Sequence, residues 1–316
     1  MYILAPISAY RPYKVKKLGQ GGVGCVYEVR ERDFEVAVKV PRKDSGEAGM
    51  ILLARETAAL SVVSHPNIVR FVSADTVIVD GEELPCLIED TLDGISMGEL
   101  LKDKVRFEPR RALEIIKKIL QAVAAFHQEG FYNLDLKPSN IIFVLGEPIL
   151  FDFASAIKND DKSVFVSGTN GYWPPEALIY TILKNCLWAE YLACSEQALG
   201  EIGIKDDIKE VYLPHPRWDI HAVGIILFEL LVGRSAIRST LVDNQNKTKL
   251  RMFLRDLVEH LLLPGVINRE GLHPEITKII LKATCFNPGL DDYGISERYQ
   301  NSSEMIADID QALIML

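Results

Sequence analysis

Residues Tyr132–Phe153 read Y-N-L-D-L-K-P-S-N-I-I-F-V-L-G-E-P-I-L-F-D-F. Asp135, Lys137 and Asn140 share one short loop, and the apolar run Ile141–Leu145 follows at once. The turn Gly146 to Pro148 separates that run from Ile149–Phe151, which delivers Asp152. Two short apolar strands around a tight turn predict a hairpin. A hairpin sets the residue before its first strand beside the residue after its second. Asn140 and Asp152 should therefore converge, and two oxygen-bearing side chains on one spot suit a hard divalent cation. Asp135 is placed to touch a substrate proton, and Lys137 adds a fixed positive charge beside it. A carboxylate base, a metal pair and a cation are the parts that phosphoryl transfer requires, because its catalysis is mostly positioning and charge neutralisation.

D-L-K-P-S-N, followed twelve residues after Asn140 by D-F-A, resembles the catalytic loop and metal-binding motif of eukaryotic-type (Hanks-type) protein kinases. The Lys-Pro after the aspartate is similar to the serine/threonine branch. The resemblance implies an α+β, bilobal fold: an antiparallel sheet with one helix over residues 1–89, and a mainly helical part over 90–316. It implies a single kinase domain over 13–315, with no second domain.

The N-terminal part carries Gly19, Gly21 and Gly24 as G-x-G-x-x-G. In a dinucleotide fold the third glycine opens a helix. Here Cys25 to Val29 continues as a β-type run, and Phe34–Val40 alternates as another strand. That predicts a hairpin lid over phosphates; the competing reading is a glycine-rich hairpin with no ligand. Lys39 faces opposite to Val38 and Val40, so it is either a solvated edge residue or a buried charge that needs a carboxylate. Glu56, near the centre of the helical stretch Met50–Leu60, is the candidate. The resemblance agrees: Lys39 would hold the α and β phosphates of ATP and pair with Glu56. His65 in H-P-N-I-V reads as a turn residue rather than a ligand.

The same resemblance implies that Val26 and Ala37 cover an adenine and Ile142 lies beneath it. Ile88 would guard the back pocket, and the backbone from Glu89 to Asp93 would form the hinge. Leu18 and Gly22 complete the implied ATP-binding set with the three glycines, Lys39 and Glu56. Ser96 and Glu99 are candidates for a ribose contact. Asp135 and Lys137 would be catalytic, with Asn140 and Asp152 holding Mg²⁺, or Mn²⁺ in its place.

Further along, Pro109 to Glu129 shows an apolar stripe of helical period, closed by Gly130. G-T-N-G-Y-W-P-P-E resembles the activation segment, with Thr169 in the loop that receives the substrate residue and Glu176 paired to Arg298. Asp219 opens the apolar run Ile220–Val232; it reads as a helix N-cap, and the family's acid at this place braces the catalytic loop. His127 reads as a hydrogen-bonding core residue, and 275–288 and 302–316 as amphipathic helices.

Three features depart from the pattern. The family's H-R-D is Asn133-Leu134-Asp135, which removes the arginine that anchors a phosphorylated activation loop. Asn133 replaces a ring beneath the metal-binding segment, and a smaller residue there should loosen the site. D-F-G is Asp152-Phe153-Ala154, where alanine restricts the backbone at positive φ. An insert around 178–214, with Trp188 and Tyr191, reads either as an extra helical pair or as a docking surface for a regulator or substrate.

Composition bounds the partners. Lys plus Arg is 35 and Asp plus Glu is 44, a formal charge of −9, which speaks against nucleic acid or an anionic membrane. No apolar run reaches the ~18–20 residues of a membrane span, and the start lacks the pattern of a signal peptide. Five cysteines at 25, 86, 186, 194 and 285 show no metal-ligand spacing, as for reduced thiols in a cytoplasmic protein. Cys25 in the lid is either packed or a reactive thiol. Two functions compete: an ATP-dependent kinase acting on serine or threonine of protein substrates, and a pseudokinase that scaffolds. Every chemical part is present, which favours the enzyme over the scaffold. The Lys-Pro and G-T-x-x-Y-x-P-E features argue against a small-molecule phosphotransferase.

Overall fold

The computed structural model describes residues 3–4, 14–21, 24–31, 34–79, 81–159, 168–184, 214–236, 259–287 and 294–316. Gly22 and residues 185–213 of the 178–214 insert, Trp188 and Tyr191 included, lie outside them.

Alternating apolar residues build a six-stranded antiparallel sheet in the N-terminal part. Its strands are β1 (Ile3–Leu4), β2 (Lys14–Gln20), β3 (Gly24–Glu31), β4 (Phe34–Pro41), β5 (Phe71–Val79) and β6 (Glu82–Asp90), in the order β1-β5-β6-β4-β3-β2. One face buries Tyr27, Val36, Val38, Val40, Val77, Val79, Cys86 and Ile88 as a cluster of its own. Cys25 packs against that cluster. The other face looks onto helix α1 (Gly46–Leu60). On α1 the buried positions Leu52, Leu53, Glu56, Ala59 and Leu60 recur at helical spacing, so the inward stripe carries one carboxylate among apolar groups.

The connection after α1 ties the sheet to the second part. Val69 N donates to Leu150 O at 2.9 Å, Leu150 N to Asn67 O at 2.9 Å, and Asn67 Nδ2 to Pro148 O at 2.8 Å. His65 Nδ1 accepts from Asn67 N at 3.1 Å, which is the turn role the sequence suggests.

Beyond Asp90 come β7 (Ile95–Ser96), α2 (Met97–Lys102), α3 (Pro109–Gln128), β8 (Phe131–Tyr132), β9 (Ile141–Val144), β10 (Glu147–Leu150) and β11 (Ile157–Lys158). β10 and β9 form the predicted hairpin, with Leu150 opposite Ile141. Then follow α4 (Pro175–Lys184), α5 (Pro216–Val232), α6 (259–269), α7 (Pro274–Ala283) and α8 (Ser302–Met315). Helix α3 ends at Glu129 and Gly130, whose φ of 78° reverses the chain into β8. Its apolar stripe packs on α5 and α8. Every residue of α5 from Trp218 to Val232 is buried, as expected of the axis around which the other helices pack. Among the described residues, no helix is long and apolar enough to cross a membrane.

One expectation changes here. Helix α5 begins at Pro216, so Asp219 sits in its first turn; the N-cap is His215, whose Nδ1 accepts from Arg217 N at 3.3 Å. Ser96 and Glu99 form a capping box at the start of α2, Ser96 Oγ accepting from Glu99 N and Glu99 Oε2 from Ser96 N. Local helix chemistry therefore uses both side chains.

Burial leaves three histidines neutral. His221 and His260 are wholly enclosed, their rings 5.1 Å apart, and neither nitrogen of His221 has a hydrogen-bond partner among the described residues. Desolvation first, and then Arg298, hold His221 well below the usual range and His260 down at about 3. Desolvation, with help from Arg217, holds His215 at about 4. Each ring takes a proton in the unfolded chain near pH 6.5 but only at lower pH when folded, so stability falls as pH drops below about 6.5. Around pH 5 the enclosed His260, held at about 3, contributes a slope of about 1.4 kcal/mol per pH unit. Urea unfolding at a series of pH values should show this slope, and His260→Leu should lower it by roughly one such increment.

Candidate active site

Strand β4 aims Lys39 into the space between the sheet and the β9–β10 hairpin. Its Nζ meets Glu56 Oε2 at 2.6 Å and Asp152 Oδ1 at 2.7 Å. Glu56 Oε1 accepts from Phe153 N at 3.0 Å, so one carboxylate on α1 holds both the lysine and the chain just after Asp152. Burial works against the Lys39 ammonium, but Glu56 and then Asp152 overcome it and hold its pKa above the ordinary lysine value. Burial likewise opposes ionised Asp152, yet Lys39 outweighs it, and the carboxyl lies below its usual range.

The catalytic-loop residues meet beneath. Lys137 Nζ donates to Asp135 Oδ2 at 2.6 Å and to Thr169 Oγ1 at 2.9 Å, and Thr169 Oγ1 donates to Asp135 Oδ1 at 2.8 Å. Asn140 Nδ2 donates to Asp135 O at 3.0 Å. The hairpin brings Asn140 and Asp152 to its open end, where Phe151 N donates to Asn140 O at 3.1 Å. The described residues hold no group of three or more His, Cys, Asp or Glu placed for a metal. One amide oxygen and one charged carboxylate suit an ion that takes its other oxygens from water and phosphate, as magnesium does.

This loop hangs from Asp219. Its Oδ2 accepts from Asn133 N at 2.9 Å and meets His127 Nε2 at 2.8 Å, and its Oδ1 accepts from Leu134 N at 2.8 Å. Leu134 and Asp152 both sit at positive φ, 63° and 62°, which costs a branched or acidic side chain energy and is held by such bonds. Leu134 O accepts from Trp173 Nε1 at 3.0 Å. Gly168 makes room for that indole: a Cβ there would lie 2.2 Å from Nε1 and 2.6 Å from Leu134 O. Glu176 and Arg298 form a buried two-pronged pair at 2.6 and 3.0 Å.

A cleft of about 560 Å³ joins these groups to Leu18, Gly19, Gly21, Gly24, Val26, Ala37, Glu89 and Ile142. A larger hollow of about 810 Å³ lies behind the α1–β5 connection, but Lys39, Asp135, Asn140 and Asp152 are not among its walls.

Several local readings are corrected. Ile88 does not face the cleft; it is buried in the cluster on the opposite face of the sheet. Glu89 is still within β6, opposite Ala37, so its side chain lies on the Ala37 face of the sheet, and Glu89 lines the cleft. Successive strand residues point to opposite faces, so a boundary misplaced by one residue exchanges their positions. Ala154 is not at positive φ; the strain falls on Asp152 instead, and alanine fits without penalty. Asn133 does not leave a gap: its Oδ1 accepts from Asp135 N at 3.0 Å, while Phe153 stacks on Phe126 with ring centroids 4.8 Å apart. Trp173 and Phe126 were not singled out from the sequence. The tryptophan's place in the Y-W-P-P-E motif was the available signal for one; the other looked like any position on the α3 stripe.

The Glu176–Arg298 pair gives a direct test. Arg298→Met strips a buried carboxylate of its partner and should cost about 3–5 kcal/mol in denaturant unfolding. Adding Glu176→Gln to that variant should recover part of the loss.

Residues 13–187 match the protein kinase domain family. A probable serine/threonine-protein kinase of Streptomyces coelicolor is 29% identical over 301 residues, 94% of this chain and 39% of that protein. Serine/threonine-protein kinase PknB of Mycobacterium tuberculosis is 27% identical over 297 residues, covering 92% and 41%. Serine/threonine-protein kinase PrkC of Bacillus subtilis is 26% identical over 303 residues, covering 94% and 40%. The chain thus spans about 40% of the length of these curated relatives. It belongs to the protein kinase family, in its Hanks-type serine/threonine branch.

Proposed function

We propose that this chain transfers the γ-phosphoryl group of Mg-ATP to serine or threonine hydroxyls of protein substrates, working as one domain over about residues 13–315. The observation that carries this reading is the meeting of Lys39, Asp135, Lys137 and Asp152 at one cleft, with Glu56 bonded to Lys39 and Asn140 to Asp135. Lys39, released from Asp152, takes the α and β phosphates while Glu56 keeps it aimed. Asp135 receives the proton of the attacking hydroxyl; Thr169 Oγ1, donating to Asp135 Oδ1, already shows that a hydroxyl fits there. Lys137 stabilises charge on the moving phosphoryl group. Asn140 and Asp152 would hold magnesium, or manganese in its place, which neutralises phosphate charge when bound. The glycine hairpin covers the phosphates and excludes water.

Leu134 is buried and uncharged. With no arginine there to receive a phosphate, activity does not wait on phosphorylation of the activation segment. The insert around 178–214 is the place proposed for a docking partner. A pseudokinase reading lacks support, because no chemical part is missing.

Radiolabelled ATP with Mg²⁺ and a generic protein substrate should put phosphate on serine or threonine. Asp135→Ala should lower the rate by about 10²–10⁴, and Lys39→Met should abolish detectable transfer. Nucleotide binding without transfer in the wild type would mean a scaffold instead. Phosphatase treatment before the assay should leave the rate within about tenfold, which is 1.4 kcal/mol of barrier; a larger fall would restore the activation-loop switch.

A further inference from the structure

The cleft contains a carboxyl that the phosphate-handling groups leave unused. Ala37 pairs with Glu89 and Lys39 with Leu87 across β4 and β6, and paired residues of an antiparallel ladder share a face. Glu89 therefore stands on the Ala37–Lys39 side, at the wall of the slot lined by Val26 and Ile142. It is 8% exposed, and its Oε2 is buried with no hydrogen-bond partner.

Charge decides its state. Glu56 on α1 and Asp152 after β10 already occupy the Lys39 ammonium, and Asp90 on its own strand adds another negative neighbour. A third buried carboxylate with no cation of its own is unfavourable, and such a group keeps its proton. Burial first, and then Glu56, raise Glu89 to about 8 despite Lys39. A neutral carboxyl offers an O–H donor beside a C=O acceptor.

We propose that Glu89 is a base-reading residue of the cleft, donating from one oxygen to a purine ring nitrogen and accepting with the other from an exocyclic amine. This rests on the nucleotide-binding reading above and adds a reason for base choice. Adenine presents an acceptor nitrogen beside an amine donor, whereas guanine presents two acceptors on the same edge. The neutral acid matches both atoms of adenine and only one of guanine. The walls formed by Val26, Ala37 and Ile142 are apolar and hold any flat base equally well.

The test compares dissociation constants of ATP and GTP, by calorimetry with Mg²⁺ at pH 7, for the full chain and for Glu89→Gln and Glu89→Leu. The amide keeps a donor–acceptor pair, so Glu89→Gln should preserve the preference for ATP. Glu89→Leu should lower that preference by about tenfold. Its thermal unfolding midpoint should not fall, because Oε2 has no partner to lose. Infrared difference spectra of wild type against Glu89→Gln should show a protonated carboxyl band without any nucleotide present. An unchanged ATP-to-GTP ratio in Glu89→Leu, a glutamine variant that behaves like the leucine one, a clear loss of stability, or no such band would each overturn the proposal. If neither nucleotide binds wild type, the kinase reading falls and takes this one with it; binding without a change in ratio sinks this one alone.

Discussion

One ammonium group between two carboxylates holds the working parts together. Lys39 comes from the sheet, Glu56 from helix α1, and Asp152 from the end of the hairpin, and the three meet within 2.6–2.7 Å. Burying the Lys39 and Glu56 charges singly would be costly, and burying them together is tolerable only while each has its partner, with the more exposed Asp152 completing the set. That condition constrains the position of α1: if the helix moves away, it strands a charge and also releases Phe153 N from Glu56. The cluster therefore ties the state of Asp152 to the placement of a helix on the other side of the cleft. A phosphate that draws Lys39 away from Asp152 replaces one anion by another, so the arrangement can open without leaving the lysine unpaired.

Beneath it the catalytic loop is fixed by a different device. Three contacts converge on Asp219, a buried acid on the central helix. They hold Leu134 at a φ of 63°, a backbone state that a leucine does not choose by itself. Asp135 follows immediately, so its direction is set by strain that the core supports. The buried Glu176–Arg298 pair and the Trp173 indole do similar work for the end of the activation segment, anchoring it to the loop and to the C-terminal helices.

The departures from the family pattern look harmful when each residue is considered singly and less so in their surroundings. Asn133 is smaller than the ring it replaces, but it caps Asp135 N, and Phe126 supplies the aromatic surface for Phe153. Ala154 gives up a freedom that the neighbouring aspartate, rather than residue 154, uses. Leu134 removes a charge from a position that the structure buries. The loop accommodates all three residues, and at Leu134 the family's charge is replaced by a buried apolar side chain.

Much of the site could be read directly from order along the chain. The contacts that place Asn140 against Asp152, or Lys137 beside Asp135, span a few residues or one tight turn, and short loops have few ways to close. The helix around Glu56, the apolar stripe of α3 and the buried run of α5 follow from periodicity, since each must hide one face or all of its faces. Other features depend on pairing between distant segments. The exchange of Ile88 for Glu89 at the cleft wall follows from how β6 registers with β4, and a period of two gives either answer until that register is set. The cap of α5 fell to His215 because the helix starts three residues before Asp219, freeing that acid to hold the catalytic loop from 86 residues away. The enclosure of His221 with His260 follows the same rule: order along the chain specifies local shape, while burial and charge state emerge once remote surfaces have closed over a group and removed its water.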